Sequence, residues 1–227
     1  MKAIKKLIKR FLIFAIEIAI IAFLWSNGSE IISLFQPPNQ YASTEHGWNL
    51  ILINRDNQIP EDYPIELTEL SNGEKVDTRM YPSLQQMFDD MRMQGVYPTV
   101  SSGYRTDEKQ KQLMDEKIEE LIGQGYSRFE AKKEALRWVA PVDHSEHQIG
   151  LAIDINAVNG KSTNAQVYKW LAENAWKYGF ILRYPEDKTE LTQINYEPWH
   201  YRYVGIEVAT EIVSNGYCLE EYVVTID

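Results

Sequence analysis

Ser145-Glu146-His147-Gln148-Ile149-Gly150-Leu151-Ala152-Ile153-Asp154-Ile155-Asn156 is the stretch on which the fold turns. From Leu151 onward, apolar Leu151, Ile153 and Ile155 alternate with Ala152, Asp154 and Asn156, a period of two that predicts a strand with one face on a core. Asp154 then belongs to the opposite face, and His147 to the loop that leads in. An extended chain rising about 3.3 Å per residue would carry these two side chains roughly 20 Å apart. For both to serve one site, Gly150 has to allow a turn. Far downstream, Glu197-Pro198-Trp199-His200 adds a second imidazole and a second carboxylate. The two segments together hold the inventory of a hydrolytic zinc site that keeps one coordination position open for water. Pro198 biases Glu197 toward an extended backbone, so that its carboxylate can hang beside a metal without ligating it. No short His-x-x-x-His motif exists, and a third ligand from a different strand is what a site built by tertiary structure requires. Spacing alone leaves open a competing pair, His144-x-x-His147, in place of His147 and Asp154.

Working outward, Asn49-Leu50-Ile51-Leu52-Ile53 reads as a short apolar strand. Pro82-Ser83-Leu84 opens a helix whose Leu84, Met87, Phe88 and Met91 share a face before Gly95 ends it. Val96 to Ser101 reads as a strand that delivers Ser102-Gly103-Tyr104-Arg105 at its end, where loops carry function. Two helices fill Asp107 to Trp138, divided by Gly123-Gln124-Gly125. Ser127-Arg128-Phe129-Glu130 starts the second with a capping-box pattern, and Pro141 follows it. A further helix is predicted from about Asn164 to Tyr178, then strands at Phe180–Tyr184 and Trp199–Val204. A closing helix runs from Ile206 to Asn215, capped by Gly216. Helices grouped around a central antiparallel sheet make the fold class α+β.

Composition narrows the function. The chain has 227 residues, 44% of them hydrophobic and 25% charged, which suits one globular core. Its formal net charge of -10 argues against a nucleic-acid partner, because phosphate binding needs a basic surface. Cys218 is the sole cysteine, so there is no intramolecular disulfide and any metal must sit on His and carboxylate. Lys2, Lys5, Lys6, Lys9 and Arg10 precede an apolar run from Phe11 to Trp25. Ser26-Asn27-Gly28-Ser29-Glu30 then offers no small-x-small cleavage pattern, which predicts an uncleaved anchor. Glu17 opposes insertion by about 2.5–3.5 kcal/mol, and the surrounding Ile, Leu and Phe outweigh it. The positive-inside rule keeps the lysines in the cytoplasm. The expected organisation is therefore residues 1–30 as basic head and membrane anchor, 31–48 as linker around Gln36-Pro37-Pro38-Asn39-Gln40, and 49–227 as the functional domain. The protein is expected in the cell membrane as a single-pass chain with that domain outside.

Ser-x-His-x-x-Gly-x-Ala-x-Asp joined to Glu-x-Trp-His resembles the motif pair of the VanY-type D-alanyl-D-alanine carboxypeptidases. These are zinc peptidases grouped with the L,D-carboxypeptidases and the Hedgehog amino-terminal domain. Asn54-Arg55-Asp56-Asn57, Ser102-Gly103-Tyr104-Arg105, Tyr178 to Pro185 and Glu197 to Gly205 extend the resemblance over most of the chain from Leu50. It implies His147, Asp154 and His200 as ligands of one Zn2+ and Glu197 as catalytic base. Arg105 is implied as the binder of a substrate or transition-state oxygen, with Gln110, Ser145 and Tyr184 as substrate-binding wall residues. The substrate implied is a peptidoglycan stem peptide that loses its terminal D-alanine. An L,D-carboxypeptidase trimming tetrapeptide stems and a non-catalytic zinc-bearing wall-binding module are the alternatives. Where such families usually show Pro-Gly-x before Ser-Glu-His, this chain has Val142-Asp143-His144.

Overall fold

The computed structural model describes residues 40–226 and, apart from them, Ile16. The chain divides into two units between Pro37 and Pro38, and the sheets and the helices packed on them lie in the second. Apart from Ile16, the apolar run at 11–25 lies outside the described residues, and among the described residues no helix is long and apolar enough to cross a membrane.

Strands β3 (Pro98–Ser102), β4 (Ala152–Ala157), β5 (Phe180–Leu182) and β6 (His200–Tyr203) form one sheet in the order β3-β4-β6-β5, antiparallel throughout. The alternation read from the sequence sorts its faces. Ile153 pairs with Tyr201 and Leu182 with Tyr201, all toward one side. There they meet Leu84, Met87, Phe88 and Met91 of helix α1 (Tyr81–Met93) and Val167, Trp170 and Leu171 of helix α4 (Asn164–Asn174) in the main core. Asp154 pairs with His200 and Ala152 with Arg202 on the other side. That face is shared between the candidate site and a smaller core, in which Ile181 and Val204 pack with Ala209 and Ile212 of α6 (Ile206–Asn215) and Leu219 and Tyr222 of α7 (Leu219–Ile226). The α+β class with an antiparallel sheet holds.

Helices α2 (Asp107–Gly123) and α3 (Arg128–Ala135) pack on each other through Ile118, Leu121, Ala131 and Ala135. Thr106 caps α2, and Ser127 with Glu130 forms the expected capping box at the start of α3. A short helix, α5 (Thr189–Thr192), lies before β6.

Several elements differ from the sequence expectation. Asn49–Ile53 is not a strand. Its Ile51 and Ile53 are fully buried, but the carbonyls of Asn49 and Ile51 are taken by the Arg202 guanidinium at 3.1 and 2.9 Å, so a side chain occupies the place of a neighbouring strand. Residues 40–48, read as linker, pack on the domain: Ala42 is buried in the main core and Trp48 stacks on Tyr203. A two-stranded hairpin, β1 (Leu67–Glu69) with β2 (Lys75–Asp77), and helix α7 are additions. The helix expected to Tyr178 is α-helical to Asn174 and closes with a tighter 3-10 turn over Ala175–Tyr178.

Candidate active site

His147 sits in a 3-10 turn, Glu146–Ile149, that ends at Gly150 with φ +71°. This is the turn that the spacing of His147 and Asp154 demanded. A side chain at Gly150 would meet the Asp77 backbone N at 2.9 Å, and that N donates to the Gly150 carbonyl at 3.0 Å. The hairpin therefore braces the turn. Gly103 does a second job of this kind, since any Cβ there would lie 2.2 Å from the Lys75 carbonyl oxygen. Its own carbonyl lies 2.7 Å from His147 Nδ1, which leaves His147 Nε2 directed inward.

Strand register delivers the other two donors. Asp154 and His200 are direct partners across β4 and β6, where facing side chains lie close. Asp154 Oδ1 is 3.4 Å from His147 Nε2 and 3.2 Å from His200 Nδ1. Tetrahedral zinc with bonds of about 2.0 Å calls for donor-to-donor edges of roughly 3.3 Å. One atom from each residue fits within a span of 4.8 Å, and His147 Nε2 and Asp154 Oδ1 are buried with no hydrogen-bond partner among the described residues. Unpaired buried donor atoms, with the two edges through Asp154 near the tetrahedral value, suit a zinc ion, and two imidazoles with one carboxylate is a donor set such sites use.

His144 does not join this group. It is buried with Nδ1 2.8 Å from the Asn54 carbonyl, so the competing His144–His147 pair is not brought together. Asp143 beside it holds a left-handed φ of +65°, a conformation a glycine takes freely and an aspartate tolerates, and its N–H is received by Gln148 Oε1 at 2.9 Å. A left-handed residue thus stands where the resemblance expects glycine.

Glu197 comes within 3.5 Å of His200 Nδ1 through Oε2 and is buried. Loss of hydration pushes its carboxyl up to about 7; His200 opposes the shift and Asp154 adds to it. The two imidazoles diverge. Burial, helped by the Arg105 charge, lowers His147 to about 4, keeping it neutral. Burial also works against a charged His200, but the neighbouring Asp154 and Glu146 carboxylates outweigh it and raise the imidazole to about 9. Asp154 itself is held well below the usual carboxylate range, because His147 and His200 overcome its burial.

Arg105, three residues beyond β3, donates from Nη2 to Asp154 Oδ2 at 2.6 Å and from Nε to Ser102 Oγ at 2.9 Å. Its Nη1 is 3.5 Å from Gln110 Oε1, and Gln110 is anchored by donating to the Ala140 carbonyl at 2.7 Å. The Tyr184 ring lies 4.7 Å from that of His200. Arg105, Gln110, Ser145, Tyr184 and Glu197 all line, with the three donors, one cavity of about 250 Å3. Trp138, Lys117 and Trp199 are also among its walls. Sequence reasoning did not single out Glu146, which the structure places behind His200, or the Gly103 carbonyl behind His147. A carboxylate next to a ligand shows no spacing that marks it, and a backbone oxygen leaves no sequence signal.

The VanY family profile, described as D-alanyl-D-alanine carboxypeptidase, matches residues 73–206. The chain belongs to the VanY family. Its likeness to individual VanY proteins is close. A D-alanyl-D-alanine carboxypeptidase of Enterococcus faecalis is 58% identical over 181 residues, which are 80% of this chain and 68% of that protein. VanYB, solved in complex with D-alanine-D-alanine, shares 57% identity at a TM-score of 0.78, covering 79% of this chain and 99% of the solved one. A mutant of the vancomycin resistance D,D-pentapeptidase VanY from a VanB-type resistance cassette, solved in complex with Zn(II), shares 57% identity at a TM-score of 0.77 over 78% of this chain and 99% of that one. The VanY fold thus accounts for the sheet that carries Asp154 and His200 face to face.

Proposed function

We propose that this protein is a zinc-dependent D,D-carboxypeptidase that removes the terminal D-alanine from peptidoglycan stem peptides. The observation that carries the proposal is the donor geometry: Asp154 Oδ1 lies 3.4 Å from His147 Nε2 and 3.2 Å from His200 Nδ1, with a buried carboxyl 3.5 Å from one of them, in a chain 58% identical to a D-alanyl-D-alanine carboxypeptidase. The solved relatives carry zinc in one case and D-alanine-D-alanine in the other.

The residues divide the work by charge. His147, Asp154 and His200 would hold zinc, which when bound supplies a Lewis acid and lowers the pKa of water. Glu197, with a carboxyl poised near neutrality, takes a proton from the attacking water and returns it to the leaving amine. Arg105 is held by Asp154 and Ser102, so its guanidinium is oriented before substrate arrives. Its charge at the cavity wall suits a carboxylate or a developing oxyanion. A pure binding module has no use for a proton-accepting carboxyl at this place.

The test is incubation of the protein with defined pentapeptide and tetrapeptide stems, with and without a chelator, followed by product masses. Loss of one alanine from the pentapeptide alone, abolished by the chelator, is the expected result. Trimming of the tetrapeptide alone would replace this reading with the L,D-carboxypeptidase.

We further propose that residues 1–30 tether the enzyme to the cell membrane, that 31 to about 39 lift it from the surface, and that the catalytic domain faces outward. The lysine cluster followed by the apolar run supports this. Protease treatment of intact cells, read by loss of the domain from the membrane fraction, tests it.

A further inference from the structure

We infer that Glu146 is the positioning residue for the ligand His200, and that helix α7 sets Glu146 through Glu220 and Arg183. The inference rests on the zinc site proposed above. Its starting point is a pair of unpaired atoms. Glu146 Oε2 and His200 Nε2 are both buried, neither has a hydrogen-bond partner among the described residues, and they face each other 3.8 Å apart. His200 Nδ1 faces Asp154, so Nε2 is the ring atom left for a carboxylate behind the ligand.

The other oxygen of Glu146 is fully engaged. Oε1 receives Arg183 Nε at 2.7 Å and lies 2.8 Å from Arg202 Nη1. Arg183 is in turn clamped by Glu220, whose two carboxylate oxygens take Nη1 and Nη2 at 2.8 and 2.7 Å. Arg202 is fastened to the Asn49 and Ile51 carbonyls. Two arginines and two carboxylates balance in charge, with Glu146, Arg183 and Arg202 buried and Glu220 at the edge, which makes the cluster tolerable and its buried members expensive to remove. Oε2 is thereby held at a fixed place rather than free to rotate toward either arginine.

Chain connectivity adds a consequence. Glu146 and His147 are consecutive in one 3-10 turn, so the turn that supplies one ligand also supplies the carboxylate behind another. Glu220 lies on α7, beyond residues 73–206 that the family profile matches. The outer helix and the metal site are joined by a line of side chains, Glu220 to Arg183 to Glu146 to His200. Hydrogen-bond partners behind a metal ligand typically contribute about 10- to 100-fold in metal affinity.

Full-length wild type, Glu146→Gln and Glu220→Gln are compared by zinc affinity against a competing chelator, by the visible spectrum of the cobalt(II)-substituted protein, and by melting temperature. Glu146→Gln is expected to weaken zinc binding by about 10- to 100-fold and to alter the cobalt spectrum. Glu220→Gln, one step further out, is expected to weaken it by roughly 3- to 10-fold with a spectral change in the same direction. A purely structural role would lower melting temperatures and leave affinity and spectrum unchanged. Wild type that binds zinc, with both folded variants within twofold of it and spectrally identical, overturns the inference alone. Wild type that binds no zinc overturns the site reading and the inference with it. If Glu146→Gln does not fold, Glu220→Gln decides: altered affinity and spectrum support the line of side chains, and unchanged values overturn it.

Discussion

At Glu197, the loss of hydration on burial outweighs the attraction of His200 and brings the carboxyl to about 7 in the protein by itself. A general base acts only when ionised, so activity falls as pH drops through its pKa. A bound dication favours the ionised form, which places the acid limb of kcat/KM in the zinc-loaded enzyme below 7. A pH profile whose acid limb lies at or above 7 would contradict this role. Replacing the group without changing its size separates its two conceivable duties. Glu197→Gln is expected to keep zinc, measured by elemental analysis, while kcat drops by about 10²- to 10⁴-fold. An unimpaired rate would take Glu197 out of the mechanism. These residue identities were readable as motif members, because donor chemistry is a property of the side chain. That Glu197 stands beside His200 while His144 turns to the Asn54 carbonyl was not, since burial and direction belong to the fold.

At the scale of elements, the turn over Glu146–Ile149 and the β1–β2 hairpin depend on each other. Gly150 combines a left-handed φ with a contact too close for any Cβ. Gly150→Ala is therefore expected to destabilise the fold by at least about 2 kcal/mol, read from urea unfolding midpoints at constant slope, and to weaken zinc binding as His147 shifts. A loss below about 1 kcal/mol would show that the hairpin yields and does not brace the turn. Long or strictly alternating elements were legible in the chain: β4 by its period of two, α1 by its apolar face, α3 by its capping box. The hairpin was not, because its strands are three residues each and show no resolvable period. The segment at Asn49–Ile53 misled for the opposite reason. Its apolar run is that of a buried strand, yet its carbonyls pair with Arg202, a partner 151 residues from Ile51 in sequence.

Across the whole molecule, the site joins pieces far apart in the chain: a turn, two adjacent strands and, through Arg183, the last helix. An ion ligated by the turn and both strands binds the folded chain and not the unfolded one. Free zinc at about 100 times its dissociation constant adds roughly 2.7 kcal/mol of stability. For a domain of this size that corresponds to a melting temperature higher by about 5–10 °C, lost on adding a chelator and restored by zinc. A melting curve indifferent to both would mean that the site holds no metal. By itself the sequence determined which residues could act as donors, the α+β class and the face of β4 on which Asp154 lies, because side-chain chemistry and strand periodicity are local properties. Only the tertiary structure decided that His147, Asp154 and His200 converge while His144 does not, that Glu197 is desolvated, and that Glu146 is locked between two arginines. Those outcomes depend on strand register and on exclusion of water, which arise when segments far apart in the chain pack against each other.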